Sequence, residues 1–260
     1  MTEGLTPMAK HAFSYAQRAI PLGKAPDFPH FIAENQYGRY CVPDAFADRE
    51  VPKLLTAGQV YEPRTIARLR HLMGSGDIVT GGAFVGDFLP ALAESLHPQA
   101  QIHTFEPAPM THAAAAHTLH INGLRDVNLH NVAVGDAPAT LPLQLSRFDG
   151  GPQMAAAAKL APGETGDHVV NVPVMRLDDL IPEERIVSVL HLDVEGFELR
   201  ALMGAQRLIP RNAPVIVLEA AKRRMQMLYK RTLRQHFPHL QYHVSEVIEN
   251  NAIFLPFRRG

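Results

Sequence analysis

Two carboxylates stand at the end of a strongly apolar segment in the second half of the chain. Asp193 and Glu195 follow the run VSVLHL, and an amphipathic helical pattern that continues to Ile209 begins after Gly196. In an open α/β sheet, ligands bind beyond the carboxyl ends of the strands. A carboxylate there can take a proton from a hydroxyl group or hold a metal ion that acidifies it. We therefore expect Asp193 and Glu195 to be catalytic, with a cap of the following helix as the alternative for Glu195.

Two further predicted strands end in groups that suit a nucleotide-like cofactor. The segment DIVTGGAFVGDF places Gly82 and Gly86 in a turn before a helix, where backbone N–H groups favour a negatively charged ligand group. Glu106 ends the next strand, about twenty residues after Gly86, and an acid at this distance accepts hydrogen bonds from ribose hydroxyls. The G-x-G-x-x-G spacing of dinucleotide sites is missing, which disfavours NAD without excluding it. A plain strand-to-helix turn and a solvated carboxylate are the alternatives.

A metal site is less well defined by the sequence. Glu219 ends a fifth predicted strand and could approach Asp193, and oxygen ligands from neighbouring strand ends would suit Mg²⁺. The 14 histidines are scattered and form no metal-binding motif, so we expect them to be ordinary surface or core residues. After Glu219 comes a basic helix, RRMQMLYKRTLRQHF, whose charges are expected to face solvent. A phosphate or glycan acid as substrate is the alternative for this helix.

The elements that would position these groups alternate between strand and helix patterns from Asp77 onward. QIHTFEP, DVNLHNVAVG, SVLHLDVEG and PVIVLEA are predicted as strands, TLPLQLS as a polar loop, and VVNVPVMRL as extended. YHVSEVIENNAIFLP predicts a hairpin around Glu249–Asn251. The pattern is typical of an α/β fold with a mostly parallel sheet, helices on both faces and an antiparallel edge.

The N-terminal quarter differs in composition, because several prolines divide it into short pieces. FIAENQYGRYCVP predicts two short strands joined at Asn35–Gly38, and YEPRTIARLRHLM predicts a helix with Pro63 in its first turn. We expect residues 1–70 to be an extension that packs on the core and covers one side of it. Residues 71–260 are expected to form the cofactor-binding domain.

Composition narrows the partners and the cellular location. The net charge of −1, from 25 basic and 26 acidic residues, gives no overall attraction to nucleic acid or to an acidic membrane. The single cysteine, Cys41, excludes an intrachain disulfide. Neither a signal peptide nor an apolar run long enough to span a bilayer is visible. We therefore expect a cytoplasmic protein that acts on a small molecule or glycan; the oligomeric state is left open.

Taken together, the motifs resemble the FkbM family of S-adenosylmethionine-dependent methyltransferases. The similarity is carried by GGAFVGDF (81–88), TFEP (104–107), NVAVGD (131–136), RLDDLI (176–181) and LDVEGFELRALMGA (192–205). The resemblance implies a class I methyltransferase fold, Rossmann-like, with a seven-stranded sheet and one antiparallel strand near the C-terminus. It also implies O-methylation of a sugar, a glycan or a secondary metabolite. An NAD-linked oxidoreductase and a catalytically inactive cofactor-binding scaffold are the alternatives.

By position, the resemblance assigns the cofactor to residues at several strand ends. They are Gly82, Ala83, Phe84, Gly86, Asp87, Glu106, Pro107, Asn131, Val132, Ala133 and Asp193. Glu106 would hold the ribose hydroxyls, the Asn131–Ala133 turn would lie near the adenine, and Asp193 would lie near the transferred methyl group. Acceptor specificity is expected in residues 1–76 and in the loop 148–168.

Three positions depart from the family pattern. Thr80 stands where an acid is usual, Phe84 where asparagine is frequent, and His191 where lysine is common. Thr80 cannot supply negative charge near the methionyl ammonium group. The sequence therefore predicts that Asp87 or Asp77 takes this role, or that cofactor affinity is reduced.

Overall fold

The computed structural model describes residues 25–145, 159–160, 163, 166 and 169–257, so most of the predicted loop 148–168 lies outside the described residues. The N-terminal part contains β1 (His30–Asn35), β2 (Gly38–Pro43), α1 (Glu50–Thr56) and α2 (Pro63–Leu72). The two predicted strands and the predicted helix are therefore confirmed. Ile66 and Leu69 lie on the buried face of α2, as their spacing predicts.

From Asp77, strands and helices alternate along the chain. The first half consists of β3 (Asp77–Gly81), α3 (Leu89–Ala93), β4 (Ile102–Phe105), α4 (Pro109–Ile121), β5 (Val127–His130), β6 (Ala133–Val134), β7 (Ala139–Gln144) and β8 (Lys159–Leu160). The second half consists of β9 (Val169–Met175), α5 (Leu177–Leu180), β10 (Val187–Leu192), α6 (Glu198–Met203), α7 (Leu208–Asn212), β11 (Val215–Glu219), α8 (Arg223–His236), β12 (His243–Ile248) and β13 (Asn251–Leu255).

A seven-stranded sheet forms the central layer, with the strand order β12-β13-β11-β10-β3-β4-β5. The strands from β11 to β5 are parallel, and β13 runs antiparallel to both β11 and β12. The hairpin predicted at the C-terminus forms this antiparallel edge. The predicted α/β class I methyltransferase fold is confirmed by this topology.

Helices cover both faces of the sheet, because alternate residues of each strand point to opposite sides. On one face, residues of the strands pack with α2, α3 and α4; this cluster includes Ile78, Val189, Val217, Leu69, Leu89 and Leu119. On the other face, strand residues pack with α6, α7 and α8; this cluster includes Val79, Leu190, Ile216, Leu202, Ile209 and Leu233. The central strands β3 and β10 are therefore apolar along most of their length, as strands buried on both faces require.

A second, four-stranded sheet with the order β6-β9-β7-β8 was not predicted. The interpretation of TLPLQLS as a polar loop is wrong, since most of this segment forms β7. DVNLHNVAVG does not form one strand but two, because β5 joins the central sheet and β6 joins the second one. The partner of β7 is β9, with Leu141 opposite Val172 and Leu143 opposite Val170. A pairing over this distance along the chain has no local signal.

The N-terminal hairpin packs against α4. The backbone N–H of Cys41 donates to Thr118 Oγ1 at 3.0 Å, and the N–H of Arg39 donates to Asn122 Oδ1 at 2.9 Å. Tyr40, Phe46 and Leu55 share a buried apolar cluster with Phe84, Val85 and Ala114 of the core. Within the described residues, no helix combines the length and the apolar composition that crossing a membrane requires.

Candidate functional site

The candidate site lies where the parallel strands end. In the sheet register, Gly81 pairs with both Leu192 and Phe105, and Leu192 also pairs with Leu218. The next residue of each strand therefore lies at the same edge of the sheet. These residues are Gly82, Glu106, Asp193 and Glu219. The groups that the sequence placed at separate strand ends are thus brought together.

A cavity opens at this edge, and most of the predicted site residues line it. They are Gly82, Phe84, Glu106, Pro107, Val132, Ala133, Asp193 and Glu195. Of the other lining residues, Leu160 belongs to the segment 148–168, in which acceptor specificity was expected, and five were not predicted: Phe105, Val134, Leu143, Val194 and Phe197. These residues are apolar, so their pattern in the sequence resembles that of core residues. Leu143 and Leu160 come from the second sheet, which supplies one wall of the cavity.

The remaining predicted cofactor residues, Ala83, Gly86, Asp87 and Asn131, are not among the described residues that line the cavity. A side chain at Gly86 would contact Thr118 of α4 at 3.2 Å, so this glycine permits close helix packing. Asn131 Nδ2 donates to the carbonyl oxygens of Glu106 and Pro107 at 2.8 and 3.2 Å. Asn131 therefore supports the part of the cavity wall that Glu106 and Pro107 form.

Gly82 joins the turn after β3 directly to the end of β10. Its φ angle is +80°, and a Cβ atom at this position would overlap the carbonyl oxygen of Asp193. Only glycine tolerates both the left-handed backbone and this close approach. The ends of β3 and β10 can therefore lie this close together only because residue 82 is a glycine.

Glu106 is held in a fixed orientation by backbone donors. Its Oε2 accepts the N–H of Phe84 at 2.8 Å, and its Oε1 accepts the N–H of Ala108 at 3.0 Å. Phe84 adopts a left-handed φ of 46°, which directs its N–H toward this carboxylate. Burial raises the pKa of Glu106 to about 7, although the two N–H groups act in the opposite direction. Each carboxylate oxygen retains a lone pair that can accept a hydroxyl of a vicinal diol.

Asp193 is the group best suited to take a proton. Its carboxylate lines the cavity, is partly buried, and has no hydrogen-bond partner among the described residues. Burial raises its pKa well above the usual value, and the charges of Glu219 and Glu195 raise it further. A carboxylate with a raised pKa binds a proton more readily, which is the property required of a general base.

Glu198, which was not predicted, fixes the turn that follows Asp193. Its Oε1 accepts the N–H groups of Val194 and Gly196, both at 3.1 Å, and its Oε2 accepts the hydroxyl of Tyr229 at 3.2 Å. This carboxylate, rather than that of Glu195, satisfies the backbone of the turn. Glu195 has a φ of 51° and is exposed at the mouth of the cavity.

Two of the departures from the family pattern lie in contact with each other. Thr80 Oγ1 and His191 Nδ1 are hydrogen-bonded at 2.9 Å, and both side chains are buried. Burial lowers the pKa of His191 to about 4, so the pair is neutral. The two positions at which the resemblance implied an acid and a lysine therefore hold a neutral pair in this chain.

The prediction that Asp77 could replace the missing acid is wrong. Asp77 lies at the amino end of β3, opposite the cavity, where it contacts Arg185 Nε at 2.7 Å and His103 Nε2 at 3.1 Å. Although burial alone would raise its pKa, the hydrogen bonds from His103 and Arg185 lower it to about 2. Asp87 lies near Glu106, and burial raises its pKa to about 7.

A magnesium site is not supported. Within the described part of the chain, no group of three or more histidine, cysteine, aspartate or glutamate side chains is arranged to hold a metal ion. Asp193 and Glu219 are neighbours, as predicted, but they have no third ligand of this kind. The described residues at this edge of the sheet therefore offer no ligand set for Mg²⁺.

The strand order and the cavity at the carboxyl edge define a class I methyltransferase fold. The family whose sequences define the methyltransferase FkbM domain matches residues 81–244 of this chain. The chain therefore belongs to the FkbM methyltransferase family.

Similarity to individual proteins is weaker. The chain is 29% identical over 143 residues to Methyltransferase 1 of Beauveria bassiana (strain ARSEF 2860), a match that spans 49% of this chain and 57% of that protein. The crystal structure of the methyltransferase FkbM from Methylobacillus flagellatus KT has a TM-score of 0.49 and 19% identity, over 69% of this chain and 43% of that one. An S-adenosylmethionine-dependent O-methyltransferase from Thermotoga maritima has a TM-score of 0.47 and 13% identity, over 89% and 80%.

Proposed function

We propose that this protein transfers a methyl group from S-adenosylmethionine to a hydroxyl oxygen of a sugar, a glycan or a secondary metabolite. The observation that carries the proposal is the Asp193 carboxylate, which lines the cavity at the end of β10 without a hydrogen-bond partner among the described residues. Family membership supports the class of reaction. The choice of oxygen as the acceptor atom rests on the chemistry of this carboxylate.

The cavity suits the parts of S-adenosylmethionine. Glu106 presents oriented carboxylate oxygens to the two ribose hydroxyls, which match one carboxylate in spacing. Val132, Leu143, Leu160 and Phe197 provide apolar surface for the adenine. When bound, the cofactor supplies an electrophilic methyl group on a sulfonium centre.

The protein's own contribution to the reaction is alignment and the removal of one proton. Asp193 would take up the proton of the acceptor hydroxyl on a carboxylate oxygen. Bound S-adenosylmethionine would supply the methyl group to the hydroxyl oxygen and, with its carbon–sulfur bond broken, would leave as a neutral thioether. Glu198 holds the backbone around Asp193 in place through its bonds to Val194 and Gly196. Burial favours this step, because it raises the affinity of Asp193 for the proton.

Tyr61 and Glu62, which lie just before α2, are evidence that the N-terminal part forms the side of the cavity where the acceptor binds. The ring of Tyr61 lies 6.5 Å from that of Phe88. Burial raises the pKa of the Tyr61 hydroxyl, and the charges of Glu62 and Asp193 raise it further. Glu62 has a left-handed φ of 46° and accepts a hydrogen bond from Asn251 Nδ2 at 2.7 Å. Such a conformation is costly for glutamate, by about 1–3 kcal/mol, and marks functional positions in many proteins. Tyr61 and Glu62 are therefore close enough to Asp193 for their charges to interact, which supports an acceptor side that includes them.

The test is a mass-spectrometric screen of sugars, glycans and metabolites for the gain of one methyl group, with calorimetry of S-adenosylmethionine and of NADH in parallel. Asp193→Asn is expected to lower kcat at least about a hundredfold while cofactor binding persists. Asp126→Asn, an exposed carboxylate at the opposite edge of the sheet, is the matched control. Full activity of Asp193→Asn would remove this residue from the chemistry. Binding of NADH without binding of S-adenosylmethionine would favour the oxidoreductase alternative.

A further inference from the structure

The surface of α8 is strongly positive, whereas the chain as a whole is almost neutral. The segment from Ala220 to Ser245 contains no acidic residue, although the protein as a whole has a net charge of −1. Its cationic side chains are Lys222, Arg223, Arg224, Lys230, Arg231 and Arg234. None of them forms an ion pair with an acidic side chain within the described residues. This positive charge is therefore available to an anionic partner.

The cations share one side of α8 with apolar side chains. Tyr229 and Leu233 point into the core, where they are 1% and 0% exposed. The opposite side borders a cavity, and we call its lining residues in the described part of the chain the α8 face. They are Arg224, Met227, Leu228, Lys230, Arg231, Arg234 and Gln235. Met227 is 54% exposed in the middle of this face. None of these residues lines the cavity at the carboxyl edge.

The presence of both cations and apolar side chains on the α8 face favours one class of anionic partner over another. A phosphate backbone of nucleic acid would pair with the cations but would leave Met227 and Leu228 without an apolar contact. Aromatic side chains that stack on bases are absent from the α8 face, since Tyr229 is buried. An anionic lipid surface instead attracts basic residues by about 1 kcal/mol each and accepts apolar side chains at the boundary of its headgroups. Both the basic and the apolar side chains of the α8 face would then have a favourable contact.

We infer that the α8 face docks on membranes that contain anionic phospholipid. Binding of this kind is peripheral and requires no membrane-spanning segment. It is independent of methyl transfer, because the α8 face and the cavity have no residue in common.

The experiment is sedimentation of the full chain with vesicles of phosphatidylcholine alone or of equimolar phosphatidylcholine and phosphatidylglycerol. Binding is expected only to the anionic vesicles and is expected to weaken with added salt. The double variant Arg224→Glu/Arg231→Glu should bind on the order of a hundredfold more weakly. The matched control Lys53→Glu/Arg125→Glu makes the same change in net charge at exposed positions on other elements and should bind within about threefold of the parent chain.

Met227→Ser separates lipid docking from simple attraction between charges. Loss of this apolar side chain should weaken binding to anionic vesicles several-fold, by roughly the cost of removing it from the lipid boundary. Circular dichroism and calorimetry with S-adenosylmethionine establish that each variant is folded. The inference is overturned if anionic vesicles do not bind the parent chain, or if the two charge-reversal variants bind equally. Binding to duplex RNA or DNA in place of vesicles, unaffected by Met227→Ser, would also overturn it.

Discussion

Glu106 provides a test of the cofactor site at the scale of one residue. Glu106→Gln preserves the shape of the side chain but removes the charge that strengthens its hydrogen bonds to hydroxyl donors. We expect the Kd for S-adenosylmethionine to rise about tenfold, which corresponds to roughly 1.4 kcal/mol. Calorimetry measures this change, and Glu34→Gln on the exposed side of β1 is the control. Equal affinity in the parent chain and in Glu106→Gln would contradict the assignment of Glu106 to the ribose.

The raised pKa of Glu106 also predicts how binding depends on pH. Hydroxyl donors stabilise the ionised carboxylate, whereas a free protein below pH 7 carries a proton on Glu106 because its pKa is about 7. Affinity should therefore be highest above pH 7 and should fall below it by roughly tenfold in total, the same loss that removal of the charge causes in Glu106→Gln. The amine of the ligand also titrates near this range, so the quantity to compare is the difference between the parent chain and Glu106→Gln. Parallel profiles of the two proteins would show that another group titrates.

Thr80 and His191 form a neutral pair whose two members should depend on each other. Thr80→Asp or His191→Lys alone buries a charge without its natural partner, and each is expected to destabilise the protein by about 3 kcal/mol. The double variant restores an ion pair across the 2.9 Å contact, so its loss of stability should be smaller than the sum by at least about 1 kcal/mol. Urea unfolding of the four proteins measures this coupling. Additive effects would mean that the two replacements are unrelated.

At the scale of elements, α2 depends on the hairpin at the other end of the chain. Glu249, in the turn between β12 and β13, accepts the N–H of Thr65 at 2.9 Å and its hydroxyl at 2.6 Å. The first N–H groups of a helix have no partner within the helix, and an acid beside them also interacts favourably with the helix dipole. Glu249 therefore caps α2 across 184 positions of sequence.

Removing this cap should destabilise the whole protein. Glu249→Ala is expected to lower the free energy of unfolding by about 1–2 kcal/mol, as for other helix caps. Urea denaturation measures the change, and Glu34→Ala is the control at an exposed strand position. A loss below about 0.5 kcal/mol would show that water satisfies the first turn of α2 equally well.

Elements that are defined by local sequence pattern could be predicted, whereas elements that depend on pairing with distant segments could not. Strands such as Asp77–Gly81 and Val187–Leu192 are short apolar runs with clear boundaries, so their position and their carboxyl ends follow from local pattern. The strand β7 contains Pro142 and two exposed residues, and it forms only because β9 pairs with it from a distant part of the chain. Apolar cavity residues such as Leu143 follow the same pattern as core residues. The Thr80–His191 contact requires the register of β3 against β10, which no local signal contains.

At the scale of the whole molecule, we predict that the boundary near residue 70 does not separate two independently folding parts. The hairpin β1–β2 contacts α4 through hydrogen bonds of Arg39 and Cys41, and its buried residues share one apolar cluster with Phe84 and Val85. Separation of the N-terminal part would expose this cluster to water, at a cost of about 25 cal/mol for each Å² of apolar surface. We therefore expect the two parts to unfold together.

Cys41 is a natural probe of this cooperativity, because it is the single cysteine and its side chain is buried against α4. Burial raises the pKa of its thiol to about 12, so the thiol is both inaccessible and protonated in the folded protein. Reaction with a thiol reagent at increasing urea concentration reports opening of the hairpin, while circular dichroism reports loss of the central sheet and its helices. Coincident midpoints are expected, because exposure of Cys41 requires disruption of the cluster that also contains Phe84 of the cofactor cavity. Labelling at lower urea than the loss of circular dichroism would instead show that the N-terminal part opens by itself and can act as a separate cover for the acceptor.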